Sequence, residues 1–150
     1  MNRAQATVGA LEYFDTGRFH KDLARRISIE TESQEGRDDQ MHAYLEHEIG
    51  PSLARIGFRW RRIENPVAPC CPFLLAERRE NDDLPTVLTY GHGDVIRGQG
   101  ERWTRGRGPW ELAIDGDRIY GRGTADNKGQ HTINFAALEQ VLTARGGSLG

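Results

Sequence analysis

The sequence predicts an α/β domain in which helices are layered on a mixed sheet. Three observations carry this. Apolar stripes at helical spacing fill the first third of the 150 residues, short runs of aromatic and branched residues follow, and a glycine-rich bend then leads into one more helical stripe. The length fits one domain of ordinary size, and a hydrophobic content of 37% suffices for a core but is low for a complete one.

Residues 4–28 read as two helices or one broken helix. Val8, Leu11 and Phe14 recur at helical spacing, Thr16-Gly17 interrupts, and Phe19, Leu23 and Ile27 resume at four-residue steps. After a polar loop over 31–36, Met41, Leu45, Ile49, Leu53 and Ile56 form a stripe on a helix over 38–56. Pro51 kinks this helix or begins a new one, and Gly57 stands where a left-handed C-terminal cap belongs.

Residues 58–63, 73–77 and 86–90 read as strands, separated by Pro66, Pro69 and Asn81-Asp82-Asp83. Leu74-Leu75 and Val87-Leu88 predict central strands buried on both faces. Arg59, Arg61 and Arg62 around Trp60 fit an edge strand guarded by charge. Residues 110–114 and 118–120 flank Asp115-Gly116-Asp117 as a β-hairpin, with Trp103, Trp110 and Tyr120 packing it against the sheet. Residues 128–142 close the pattern as a helix with Ile133, Ala137 and Val141 on one stripe and Leu138 and Leu142 beside it.

The formal net charge of -2 comes from interspersed acids and bases, which leaves no cationic face for nucleic acid or anionic lipid. No apolar run approaches the roughly 20 residues that cross a bilayer, and the N-terminus lacks a signal-peptide core, so the expected location is the cytoplasm. Cys70 and Cys71 are neighbours, cannot staple distant segments, and read as ordinary thiols.

Two bends carry the chemistry. Tyr90-Gly91-His92-Gly93-Asp94 ends an apolar run, and residues two apart at a strand end point the same way, so His92 and Asp94 face one small volume. A metal-binding imidazole needs its orientation fixed, which a nearby carboxylate supplies. Gly121-Arg122-Gly123-Thr124-Ala125-Asp126-Asn127-Lys128-Gly129 precedes the last helix, whose N-terminal dipole favours an ionised Asp126. A plain N-cap is the alternative use of Asp126, and a loop hydrogen bond that of His92.

In this order, the two motifs resemble the paired signature of the M20 family of metallopeptidases, which includes dipeptidases, acylamino-acid deacylases and carboxypeptidases. Ile29-Glu30-Thr31-Glu32-Ser33 and residues 103–109 also sit where that family has comparable segments. The resemblance implies that His92 binds one ion of a dinuclear zinc or cobalt site, that Asp126 bridges both ions, and that Asp94 serves catalysis by orienting and polarising His92. It also implies a cis peptide bond between Asp126 and Asn127. The implied chemistry is amide hydrolysis of a small peptide or N-acyl amino acid by metal-activated water, in an enzyme that forms homodimers in part of the family.

The family's adjacent glutamate pair has no counterpart, because no Glu-Glu occurs in the 150 residues. The resemblance places that pair, a further acidic ligand and a last histidine ligand beyond position 150, together with a lid domain. The expectation is therefore the N-terminal part of one zinc-peptidase-like catalytic domain, inactive by itself. The alternative is a non-catalytic binding or assembly domain on the same scaffold. His20, His42, His47 and His131 read as solvated helix residues, Lys128 as a structural ion pair, and Arg122 as a brace for its bend. No hydroxyl residue follows Lys128, which argues against a phosphate-binding loop.

Overall fold

The computed structural model describes residues 3–34, 36–104 and 107–150. Glu35 of the polar loop, and Arg105 and Gly106 of the 103–109 stretch, lie outside the described residues. The order is α1 (Arg3–Asp15), α2 (Arg18–Ile27), α3 (Asp38–Ala43), a π-helical stretch (Tyr44–Ile49) and α4 (Gly50–Arg55). Then come β1 (Arg59–Ile63), β2 (Phe73–Glu77), a 3-10 turn (Gly100–Arg102), β3 (Ala113–Asp115), β4 (Arg118–Tyr120) and α5 (Lys128–Ala144). The class is α/β, with α1, α2 and α5 packed together and two small antiparallel sheets.

The first break falls where glycine permits it, at Gly17 with φ +75°. The stripe expected on α1 does not face inward: Val8, Leu11 and Phe14 are about half exposed, and Tyr13 is buried instead, its hydroxyl donating to Asp22 Oδ2 at 2.6 Å.

The helix expected over 38–56 is three segments. Ahead of Pro51, which lacks an N–H, the backbone widens, and Gly50 N–H reaches back five residues to the Leu45 carbonyl. A five-residue repeat puts Tyr44 and Ile49 on one side. With Leu53 they form the centre of the core, while Leu45 and Ile56 of the expected stripe are only partly buried. Gly57 ends α4 at φ +83°; Phe58 N–H bonds the Leu53 carbonyl at 3.1 Å and Gly57 N–H the Ala54 carbonyl at 3.0 Å, the paired bonds of a Schellman cap.

β1 and β2 pair antiparallel from Arg59 opposite Glu77 to Ile63 opposite Phe73. Their burial alternates, so Leu74 and Ala76 join the core while Phe73 and Leu75 face outward. This corrects the expectation of a strand covered on both faces: a two-stranded ribbon lying on α4 has one covered face. Trp60 lies directly on Gly50, where a methyl group would overlap the indole. Gly50→Ala is expected to cost about 1–3 kcal/mol, read from thermal melts.

Residues 86–90 are not a strand. Among the described residues no backbone partner pairs with them, and Val87 and Leu88 are 82% and 89% exposed. β-propensity describes fit to a pleated neighbour, and without one the backbone groups turn to water. A hairpin forms where expected, but its first strand is Ala113–Asp115 and not 110–114, and Asp115, expected in the turn, pairs with Arg118 while Gly116 at φ +61° makes the turn.

α5 buries Lys128, Gly129, His131, Thr132 and Leu142, and Ile133 of the expected stripe is 56% exposed. With Val87, Leu88 and Tyr90 also exposed, sedimentation velocity is expected to reveal concentration-dependent association; a monomer at all concentrations would contradict this.

Glu80 gathers the last residues. Its carboxylate accepts from Gly150 N–H at 3.0 Å, Ser148 Oγ at 2.8 Å and Leu149 N–H at 2.8 Å, with Arg78 Nε behind it at 2.8 Å. The Gly150 amide, Ser148 and Arg78 push its pKa down to about 2. A depressed folded-state value means that this contribution is complete above the ordinary glutamate range of about 4.3 and is lost as pH falls through about 2. Amide chemical shifts of Leu149 and Gly150 are expected to move together across that acid window.

Candidate metal centre

One short segment holds both bends. Val95 N–H donates to the Thr31 carbonyl at 2.8 Å and Ser33 N–H to the Val95 carbonyl at 3.0 Å, a parallel bridge centred on Glu32 and Val95. Thr31 Oγ1 donates to the Gly93 carbonyl at 2.6 Å, which fixes the first bend. Two residues earlier, the Ile29 carbonyl accepts from Lys128 Nζ at 2.5 Å and so anchors the start of α5. Residues 29–33 are thus a common strut for the two motifs.

The result brings His92, Asp94 and Asp126 together. His92 Nδ1 faces Asp94 Oδ1 at 3.1 Å and the Asp94 carbonyl at 3.2 Å, while Nε2 faces Asp126 Oδ1 at 2.9 Å. Burial works against charge on His92, but the Asp94 and Asp126 carboxylates outweigh it and raise its pKa. The imidazole is therefore held between two carboxyl groups, one at each ring nitrogen. The Asp126–Asn127 peptide bond is cis, and Asn127 Oδ1 accepts from His92 N–H at 3.3 Å, a second tie between the bends.

The donor set fits a divalent cation in part. Nε2 and Oδ1 stand 2.9 Å apart, and two donors each about 2.0–2.2 Å from one ion lie about 3 Å apart. With Nδ1–H held by Asp94, the nitrogen toward Asp126 is the one left to ligate. The Asp126 side chain is 76% exposed, so the site opens to solvent. Among the described residues no group of three or more His, Cys, Asp and Glu side chains is assembled to hold an ion.

Among the described residues no carboxylate forms the expected ion pair with Lys128, whose ammonium is held by the Ile29 carbonyl and feels Glu30 only at longer range. Lys128 is fully buried, with its ammonium 5.1 Å from the Tyr44 ring centroid and its pKa pushed down to about 7 by burial. His131 is not solvated either. Its Nδ1 is hydrogen-bonded with the Tyr44 hydroxyl at 3.0 Å, its ring stacks on Phe135, and burial pushes its pKa down to about 4. Sequence reasoning passed over Tyr44, and the only signal for this buried face is the spacing of Lys128, His131, Thr132 and Phe135 at three and four residues.

Arg122 braces its bend as expected, donating from Nη2 to the Gly98 carbonyl at 3.1 Å. The aromatic residues do not pack the hairpin on a sheet: Trp103 Nε1 donates to the same Gly98 carbonyl at 2.8 Å, Trp110 lies against Gly98, and Tyr120 lies under the Arg107 guanidinium. A separate cavity of about 960 Å³ between α2, α4 and α5, lined by Arg18, Lys21, Arg25 and Arg55 among others, contains none of the site residues.

Residues 88–148, which include both bends, match the model of peptidase family M20/M25/M40. The chain resembles the M20 peptidases of dipeptidase and deacylase type. It is 42% identical over 69 residues to a cysteinylglycine-S-conjugate dipeptidase of Corynebacterium striatum, a stretch covering 45% of the chain and 15% of that protein. It is 32% identical over 133 residues to a succinyl-diaminopimelate desuccinylase of Caulobacter sp. (strain K31), covering 85% of the chain and 29% of that protein. The M20-like chain also superposes on human carnosine dipeptidase 1 with a TM-score of 0.74 and 26% identity, over 90% of the chain and 31% of that structure. It therefore spans less than a third of the length of each of these proteins.

Proposed function

We propose that the chain contributes to a metal-dependent hydrolase that cleaves the amide bond of a small peptide or N-acyl amino acid. The observation that carries this is His92 Nε2 lying 2.9 Å from Asp126 Oδ1 while Nδ1 is held by Asp94. The names of the relatives, dipeptidases and desuccinylases, support the substrate kind.

In this reading His92 and Asp126 would hold divalent ions, zinc or cobalt, with Asp126 shared between two of them. When bound, such ions polarise the scissile carbonyl and lower the pKa of water. Asp94 keeps the proton on Nδ1 and fixes the ring plane. Asn127 holds the His92 backbone in register with Asp126. Thr31 and Lys128 keep the two bends on one strut. The 150 residues form the N-terminal part of one catalytic domain, whose general base and remaining ligands come from other segments of the polypeptide.

Zinc calorimetry tests this reading. His92→Ala and Asp126→Ala are each expected to weaken zinc binding at least about 10-fold, and Asp94→Ala is expected to weaken it by about 10–100-fold. Hydrolysis of dipeptides or N-acyl amino acids is expected where these residues are joined to the segments that supply the other ligands. Zinc binding without hydrolysis in such a joined protein would favour a non-catalytic domain on the same scaffold, and equal zinc affinity in all variants would reject the site.

A further inference from the structure

We infer that Tyr44 and His131 form a buried buttress that positions the His92 bend, the bond between the Tyr44 hydroxyl and the His131 ring setting where His92 points. Its importance for function rests on the metal-site reading above, but its geometry does not.

Gly91 and Gly93 flank His92, and both rest on this pair. A methyl group at Gly91 would overlap His131 Nε2 and Cδ2, with Asn127 Oδ1 beyond them at 3.1 Å; one at Gly93 would lie 2.8 Å from Tyr44 Cδ1 and Cε1. The backbone on each side of His92 therefore lies directly on one of the two rings. Both rings are shut away from water, Tyr44 completely and His131 at 9% exposure.

A hydrocarbon pair could fill the same volume, so the polar bond needs its own explanation. Tyr44 belongs to the π-helical stretch and His131 to α5, which join different parts of the fold. Their rings stand 6.1 Å apart at an interplanar angle of 24°, Phe135 stacks on His131 at 6.0 Å, and the Lys128 ammonium stands 5.1 Å from the Tyr44 centroid. Within that stack the hydrogen bond between the Tyr44 hydroxyl and His131 Nδ1 stops the imidazole turning about its own axis, and the edge it fixes is the one against Gly91. Phenylalanine at 44 would keep the ring and its packing but release that edge.

The test uses the 150-residue chain. In the metal-free protein, Tyr44→Phe is expected to abolish the nuclear Overhauser contacts between the His92 backbone amide and the Asn127 side chain and to shift the Gly91 and Gly93 amides, with little change in melting temperature. The apparent Kd for Co2+, read from its visible absorption, is expected to weaken about 10-fold, the lower end of the loss seen when groups that orient a ligand are removed. Gly91→Ala should displace the bend from the other side, and adding His131→Ala to it should restore the His92 contacts by opening space.

Unchanged His92 contacts and amide shifts in Tyr44→Phe would overturn the buttress. If wild type gives no Co2+ spectrum, the metal reading fails, and loss of the metal-free contacts in Tyr44→Phe still supports the buttress. If Tyr44→Phe does not fold, the paired variants decide: rescue of Gly91→Ala by His131→Ala supports the inference, and no rescue overturns it.

Discussion

Glu48→Ala is expected to lower folding stability by about 3–5 kcal/mol, a large part of what holds a domain of this size together. The Arg26 and Glu48 side chains are 2% and 4% exposed, and Arg26 Nε donates to Glu48 Oε1 at 3.0 Å. Arg26 also donates from Nη1 to Thr132 Oγ1 at 2.7 Å and from Nη2 to Ser52 Oγ at 3.3 Å, and Glu48 accepts from Arg25 Nε at 2.5 Å. Removing the carboxylate would strand a guanidinium in the interior between α2, the π-helical stretch and α5. Replacing both partners, as Arg26→Met with Glu48→Leu, leaves no charge buried in the interior and is expected to cost much less than Glu48→Ala alone. Urea denaturation of the three proteins measures the difference.

Gly129→Ala is expected to cost about 3 kcal/mol and to weaken metal binding at the proposed site. A methyl group there would overlap the Thr124 carbonyl oxygen, a backbone atom. Thr124 cannot yield easily, because its N–H and Oγ1 both donate to the Gly121 carbonyl, at 3.2 Å and 2.9 Å. The strain must then pass into the bend that carries Asp126. Gly100→Ala is the control: nothing lies within 4 Å of a methyl group at that position, and a change within about 0.5 kcal/mol is expected.

Where glycine punctuates the chain, the fold was legible in advance. The break at Gly17, the cap at Gly57 and the turn at Gly116 each use a backbone conformation that glycine alone adopts cheaply. The facing of His92 and Asp94 was legible from one motif, whereas the closeness of Asp126 and the cis bond after it were implied only by the family resemblance of the two motifs.

What escaped was the polar interior. A single sequence places His131 on the surface and Lys128 in an ion pair, and marks neither Arg26 nor Glu48 as buried, because burying such groups is costly unless partners are in place, and the partners lie 22 to 106 residues away in the chain. The π-helical stretch also shifts the inward face in a way that a period of 3.6 cannot anticipate, bringing Tyr44 and Glu48 inside. At residues 86–90, branched residues announced a strand, but pairing requires a neighbour as well as propensity.

The central claim is that His92 and Asp126 hold a metal ion while Asp94 holds the other side of the imidazole. Long-range proton–nitrogen spectra of the His92 ring, recorded as zinc is added, test it most directly. Zinc coordination predicts a large shift of Nε2 with Nδ1 remaining protonated toward Asp94, and loss of that Nε2 response in Asp126→Ala. His92 nitrogens that do not respond to saturating zinc, or a response centred on Nδ1, would contradict it.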